Sequence, residues 1–241
     1  GPDGAEFTPE TGLGDYAAWT ALASGDALAS LNVAGSATEA GLYANALVPG
    51  EAVIKKGADV VTGNYDVAYA PGNLTIDKAP GMAVSAEDGG GVYRGSGYGI
   101  VAAANRDGAS IRYLNMANGK YELERSPERT DVGELVVMFR ATHPNYETAT
   151  GSATVTVPPG TLYVTAAAKT KVYGEGDPAL TYAHAGAAGE EEPAFDGALS
   201  RSAGETVGPY AIGKNTLALK DGENGFKAAN YAISYTGANL V

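Results

Sequence analysis

The chain contains no cysteine. That excludes disulfide bridges, thiolate metal sites and thiol nucleophiles, without fixing the compartment. Histidine occurs only at positions 143 and 184, and tryptophan only at Trp19. His143 precedes a proline in an expected loop and His184 lies in an expected strand. Neither has Ser-His-Asp or His-metal spacing beside it, so both read as packing or surface residues. Basic residues are scarce. Sixteen Lys and Arg stand against 28 Asp and Glu, for a formal net charge of −12. An acidic surface of this kind argues against nucleic acid and anionic membrane as partners. No apolar run approaches the ~18 residues a membrane helix needs. Helical periodicity is weak: residues 16–24 permit one helical turn, but Gly12, Gly14 and Gly25 crowd it. No signal peptide or wall anchor is recognisable, which predicts a segment of a longer protein. Gly1-Pro2 resembles the remnant of a removed tag.

What the chain does contain is repetition. Asn64-Tyr65-Asp66-Val67-Ala68-Tyr69 returns as Asn145-Tyr146-Glu147-Thr148-Ala149-Thr150 and as Asn230-Tyr231-Ala232-Ile233-Ser234-Tyr235. Each copy runs through a glycine (Gly72, Gly151, Gly237) into an alternating strand. The copies start at 64, 145 and 230, intervals of 81 and 85 residues. A period of that size is a small domain and not a solenoid turn. A second element recurs ahead of a central strand in each repeat: Glu39-Ala40-Gly41, Asp131-Val132-Gly133 and Thr206-Val207-Gly208. An acid or hydroxyl, a small residue and a glycine make a tight turn into a strand, with the side-chain oxygen free to bond nearby backbone. The tyrosine of each Asn-Tyr pair is expected to pack at a domain end, and the asparagine to fix the turn before it.

Alternation with β-branched residues predicts strands over residues 134–140, 152–157, 65–69, 74–76, 110–113, 162–165 and 231–235. Pro71-Gly72, Asp107-Gly108, Asn118-Gly119, Asp221-Gly222 and Asn224-Gly225 mark turns, and Asn118-Gly119 predicts a hairpin between residues 110–115 and 120–123. Asp77-Lys78-Ala79-Pro80 and Pro158-Pro159-Gly160 read as short joints stiffened by proline. These place repeats at residues 1–77, 78–157 and 158–241. The fold class expected is all-β: three tandem small domains arranged end to end, each an Ig-like sandwich or a β-grasp-like sheet.

The third repeat is similar to the MBG-type repeats of bacterial secreted and cell-surface proteins. Lys171-Val172-Tyr173-Gly174-Glu175-Gly176-Asp177-Pro178-Ala179-Leu180-Thr181-Tyr182 resembles that family's K-x-Y-G-x-x-D-P-x-L-x-Y signature. Leu199-Ser200-Arg201 followed by Gly204-Glu205-Thr206-Val207-Gly208 resembles its second element. The first repeat resembles a sister variant without a recognisable opening strand. The second keeps Tyr93, Thr130-Asp131-Val132-Gly133 and the segment from Asn145 to Val157, but lacks the Asp-Pro motif. The resemblance implies an extracellular bacterial stalk or adhesin-like protein, attached to the cell wall through parts outside this sequence. Its motifs are structural and bring no binding residues.

Chemistry outside the repeats is sparse. Glu190-Glu191-Glu192 reads as a solvated loop. Glu87-Asp88 and the acids of 221–224 lack the alternating spacing of a calcium loop. Gly89-Gly90-Gly91 and the glycines of 95–99 precede a strand and not a helix, so they read as mobile loop and not as a phosphate cradle. Tyr93, Tyr98 and Tyr113 do not recur between repeats and are the expected contact surface, if the chain has one. The sequence therefore predicts a non-catalytic spacer with no cofactor or metal. It would act as a monomer joined to the remainder of a larger surface protein, without nucleic-acid or membrane contact. The alternative is an adhesive module recognising a host glycan or protein. An enzyme would need convergent polar groups, and the sequence offers none.

Overall fold

The computed structural model describes residues 5–7 and 17–241. Gly1-Pro2, Gly12, Gly14 and Tyr16 lie outside the described residues. Strand makes up 48 % of the structure, there is no α-helix among the described residues, and the strands form several small sheets. Residues 17–23, where a helical turn was expected, have no regular structure. The contacts divide the chain into two compact units and do not set three apart. One comprises Gly1–Met82 with Thr142–Thr148, the other Ala83–Ala141 with Ala149–Val241.

In the first unit, the antiparallel sheet runs Ala5–Phe7, Asp26–Ala34, Gly41–Lys56, Asp59–Val60. The long strand Gly41–Lys56 changes partner along its length. Its second half pairs with Asp26–Ala34 and its first half with Gly72–Ile76. Asn45 and Glu51 take positive φ there (57° and 51°), and the register shifts beside them re-aim the strand. Leu28, Leu31, Ala52 and Ile54 form the core, with Val61, Tyr65 and Val67 packed against it. Residues 65–69 were expected as a strand and are not one. Tyr65 and Val67 do turn inward, but no neighbouring strand offers a ladder, so the alternation reports burial alone.

In the second unit, the main sheet has the order Lys120–Leu123, Ser110–Asn115, Gly133–Thr142, Ala149–Val157, Gly89–Gly90. Val137, Phe139 and Ala141 alternate inward along Gly133–Thr142, with Val136 and Met138 outward. The expected hairpin at Asn118-Gly119 is present, and Gly119 takes the positive φ its turn needs. The glycines at 89–90 are a short parallel strand on Ala149–Val157 and not a mobile loop: a Cβ on Gly90 would sit 1.9 Å from the Thr156 carbonyl oxygen. Tyr98 is bridged to Arg129 in the segment 95–99.

The remaining sheets of this unit are small. Gly160–Ala166 lies between Tyr182–Ala185, antiparallel, and Tyr231–Thr236, parallel. Ser200–Arg201, Tyr210–Gly213 and Ala238–Leu240 form another. One buried cluster spans the expected second and third repeats, joining Tyr93, Val137, Phe139 and Val155 to Leu162, Phe226 and Tyr231.

Candidate functional site

The two recurring motifs meet one another, the second and third Asn-Tyr pairs each reaching back to the glycine turn of the preceding repeat. In the first unit, Ala40 N–H donates to Asn145 Oδ1 at 2.8 Å, while Asn145 Nδ2 donates to the Glu39 carboxylate. In the second unit, Val132 N–H donates to Asn230 Oδ1 at 3.0 Å, and Asn230 Nδ2 donates to Asp131 Oδ1 at 2.9 Å. A side-chain amide can do both because it has an acceptor and a donor side by side. The acid-small-Gly turn presents the matching carboxylate and N–H.

The backbone repeats with the same precision. Gly41 pairs with Ile76, and three residues on Ala79 bridges in parallel to Tyr146. Gly133 pairs with Val157, and three residues on Gly160 pairs in parallel with Tyr231. The last strand of one repeat thus leaves beside the turn and meets the tyrosine of the next repeat. Lys227 Nζ adds a 2.6 Å ion pair to Asp131. That pair first, and the Asn230 amide second, hold the Asp131 carboxyl below its ordinary range.

The tyrosines of the first and third pairs each close a turn within their own repeat. Tyr65 OH donates to Asp26 at 2.7 Å and accepts Ala23 N–H at 3.0 Å. Tyr231 OH donates to Glu191 at 2.7 Å and accepts Ala188 N–H at 2.7 Å. Both turns are closed alike, Asp26 N–H to Ala23 C=O and Glu191 N–H to Ala188 C=O. Glu191 is therefore not a merely solvated member of its acidic run. Its second oxygen takes the Tyr93 hydroxyl at 2.6 Å. Burial, and then the Glu191 carboxylate, push both Tyr93 and Tyr231 up to about 12.

This corrects the expected contact surface. Tyr93 and Tyr113 are buried in the core cluster. Tyr113 OH accepts Ala102 N–H at 2.9 Å, and its ring meets Phe139 edge-on. Tyr98 is half-buried, donating to the Val92 carbonyl at 2.8 Å under the Arg94 guanidinium. Among the other singled-out residues, His143 accepts Asn145 N–H on Nδ1 and lies edge-on to Tyr146. His184 is exposed and tilts over Phe195. Asp88 and Asp221 accept backbone N–H groups of Thr154 and Ala228. Among the described residues no group of three metal-ligating side chains occurs.

The sequence signatures of the third repeat converge on one ion-pair network. Asp177 bonds Lys171 Nζ at 2.7 Å and Arg201 Nε at 2.6 Å, and Glu205 bonds the same two cations. Lys171 and Arg201 are only 12 % exposed. Arg201 first and Lys171 second hold Asp177 at about 2. Lys171 first and Arg201 second hold Glu205 below its ordinary value. Gly174, at φ 88°, turns the chain between Lys171 and Asp177. Lys171 N–H also donates to the Val241 carbonyl at 2.9 Å, clipping this segment to the end of the chain.

The first unit also holds an apolar groove of about 550 Å³, lined by Leu28, Leu31, Ile54 and Val67 with Trp19 and Tyr69. Sequence reasoning missed it because neither aromatic belongs to a pattern that signals an opening. Trp19 and Tyr69 are 49 % and 44 % exposed.

An all-β fold with one joint built twice from recurring motifs defines a repeat module, without a constellation of catalytic groups among its described residues. Residues 162–241 match the family model of the MBG domain, YGX type. That domain type occurs in bacterial surface proteins and is a structural repeat, not one known as catalytic. Neither the curated proteins nor the solved structures contain a significant match to this chain.

Proposed function

We propose that the chain is a non-catalytic spacer within an extracellular, adhesin-like bacterial surface protein, joined to the cell wall through other parts of that protein. The observation behind this reading is the joint made twice from the same two motifs. A device repeated in series at fixed residue intervals suits a part that sets distance and bears load. The match of the third repeat to a domain type of bacterial surface proteins supports the setting. No helix among the described residues is long and apolar enough to cross a membrane. The chain works as a monomer, with no cofactor and with the rest of its protein as its partner.

Pulling the chain from both ends in a single-molecule instrument tests this. A load-bearing array gives discrete unfolding steps, a repeat of about 80 residues releasing roughly 260–290 Å of extended chain. Extension without measurable resistance would overturn the reading.

The groove in the first unit favours a second reading, adhesion to a host glycan, because half-exposed Trp19 and Tyr69 offer ring faces on which a sugar can stack. A glycan array probed with the full chain and with Trp19→Ala decides it. Binding lost in the variant supports adhesion, and no binding by either removes it.

A further inference from the structure

We infer that the turn Thr206-Val207-Gly208 is an open socket for the Asn-Tyr turn of a further repeat of this type joined in series after the third. The same socket is filled at the two earlier turns. Ala40 and Val132, the middle residues there, are half-buried and their N–H groups donate to Asn145 and Asn230. Val207, the third middle residue, is 90 % exposed, and its N–H has no acceptor among the described residues.

The third turn is already shaped like an occupied one. Tyr210 OH donates to the Thr206 carbonyl at 2.7 Å, as Tyr43 OH donates to the Glu39 carbonyl at 3.0 Å. Thr206 Oγ1 lies 3.0 Å from the same Tyr210 hydroxyl. Since that hydroxyl spends its proton on the carbonyl, Thr206 donates to it. The lone pairs of Thr206 Oγ1 stay available for an incoming asparagine Nδ2, in the place the Glu39 and Asp131 carboxylates occupy in the filled turns. Register agrees. Tyr210 pairs with Leu240, which sets Gly208 opposite the position just after Val241. In the filled joints Gly41 and Gly133 face Ile76 and Val157 at that place, and the next repeat's bridge comes three residues later.

The complementary half has no partner among the described residues of the first repeat. Asn64 ends the 3₁₀ turn Thr62–Asn64 as Asn230 ends Ala228–Asn230. Asn64 is exposed, and its side chain has no partner among the described residues. Among the described residues, then, the third repeat has the turn without its asparagine and the first has the asparagine without its turn.

This inference rests on reading the chain as a repeat array, and its test separates the two. The full chain is extended in frame after Val241 with a second copy of residues 76–241, so that the appended Asn145 falls due at the socket. Amide hydrogen exchange is read at Val207 of the first copy. Tethering raises the effective concentration of the appended turn, and one closed hydrogen bond slows exchange by about tenfold. Val207 exchange at least about tenfold slower than in the unextended chain, returning to its rate when the appended Asn145 is replaced (Asn145→Ala), is the expected result. An unchanged rate overturns the inference. Protection that survives the substitution means a different occupant and overturns it too. The spacer reading stands or falls separately, on the pulling experiment with the unextended chain.

Discussion

Asn230 is 2 % exposed and commits both ends of its amide to the turn at 131–133. Replacing it with alanine removes the hydrogen bonds to the half-buried Val132 N–H and to one oxygen of the half-exposed Asp131. Losing one neutral and one charge-assisted bond of this kind costs about 1–3 kcal/mol. Asn230→Ala is therefore expected to lower the unfolding free energy of the second unit by about that much. Denaturant titration would check it, and a variant as stable as the parent would mean the clasp contributes nothing. Both halves of this clasp are legible in the sequence, because each recurs at a domain-sized interval. Their pairing is not, because the partners lie 98 to 106 residues apart and belong to successive repeats. Tyr93 shows the same limit. Nothing near it in sequence announces Glu191, 98 residues on, which takes its hydroxyl and draws the ring inward. Tyr113 was more readable, since it lies in the expected strand 110–113 and is the one buried residue there.

Among the elements, the strands Gly133–Thr142, Ala149–Val157 and Gly160–Ala166 were legible because one face is buried and the other wet, the condition under which alternation identifies a strand. The parallel pairing of Gly160–Ala166 with Tyr231–Thr236 was not, since alternation says nothing about the neighbour. The third repeat's signature shows what a motif can mean physically. Lysine, aspartate, arginine and glutamate, scattered over 35 residues from 171 to 205, close a single network around the Lys171 segment, whose backbone N–H is bonded to the Val241 carbonyl. Asp177 has a folded value of about 2 against an ordinary 3.8, a depression, so its contribution is complete above the ordinary value. It is lost as pH falls from about 4 toward 2. Protection of the Lys171 amide, corrected for the intrinsic pH dependence of exchange, should fall across that window. In Asp177→Asn it should be lower at neutral pH and fall less across the window, the remaining fall being that of Glu205, which bonds the same two cations. Full protection of the parent chain at pH 2 would show that the network does not hold the segment.

For the whole molecule, the two compact units differ in how much core they close. Among the described residues the first unit buries Leu28, Leu31, Ala52 and Ile54 beside an apolar groove, while the second buries a cluster of twelve. Stability grows with the area removed from water, so the first unit should unfold at lower denaturant. The single tryptophan makes this observable, because Trp19 lies in the first unit and reports on it alone. Tyr93, Tyr113 and Tyr231 lie in the core of the second. Trp19 fluorescence is expected to change before the near-ultraviolet tyrosine signal. Phe139, fully buried in the second unit, then distinguishes two cooperative units from one. Phe139→Ala should cost about 3–5 kcal/mol and move the tyrosine transition while leaving the Trp19 midpoint in place. If the two probes shift together in the variant, the chain unfolds as one body. The division at residues 82–83 would then describe packing density and not cooperativity. The repeat period cannot decide between these outcomes: it counts copies of a motif, whereas cooperativity follows the buried cluster, which here runs across the boundary between the second and third copies.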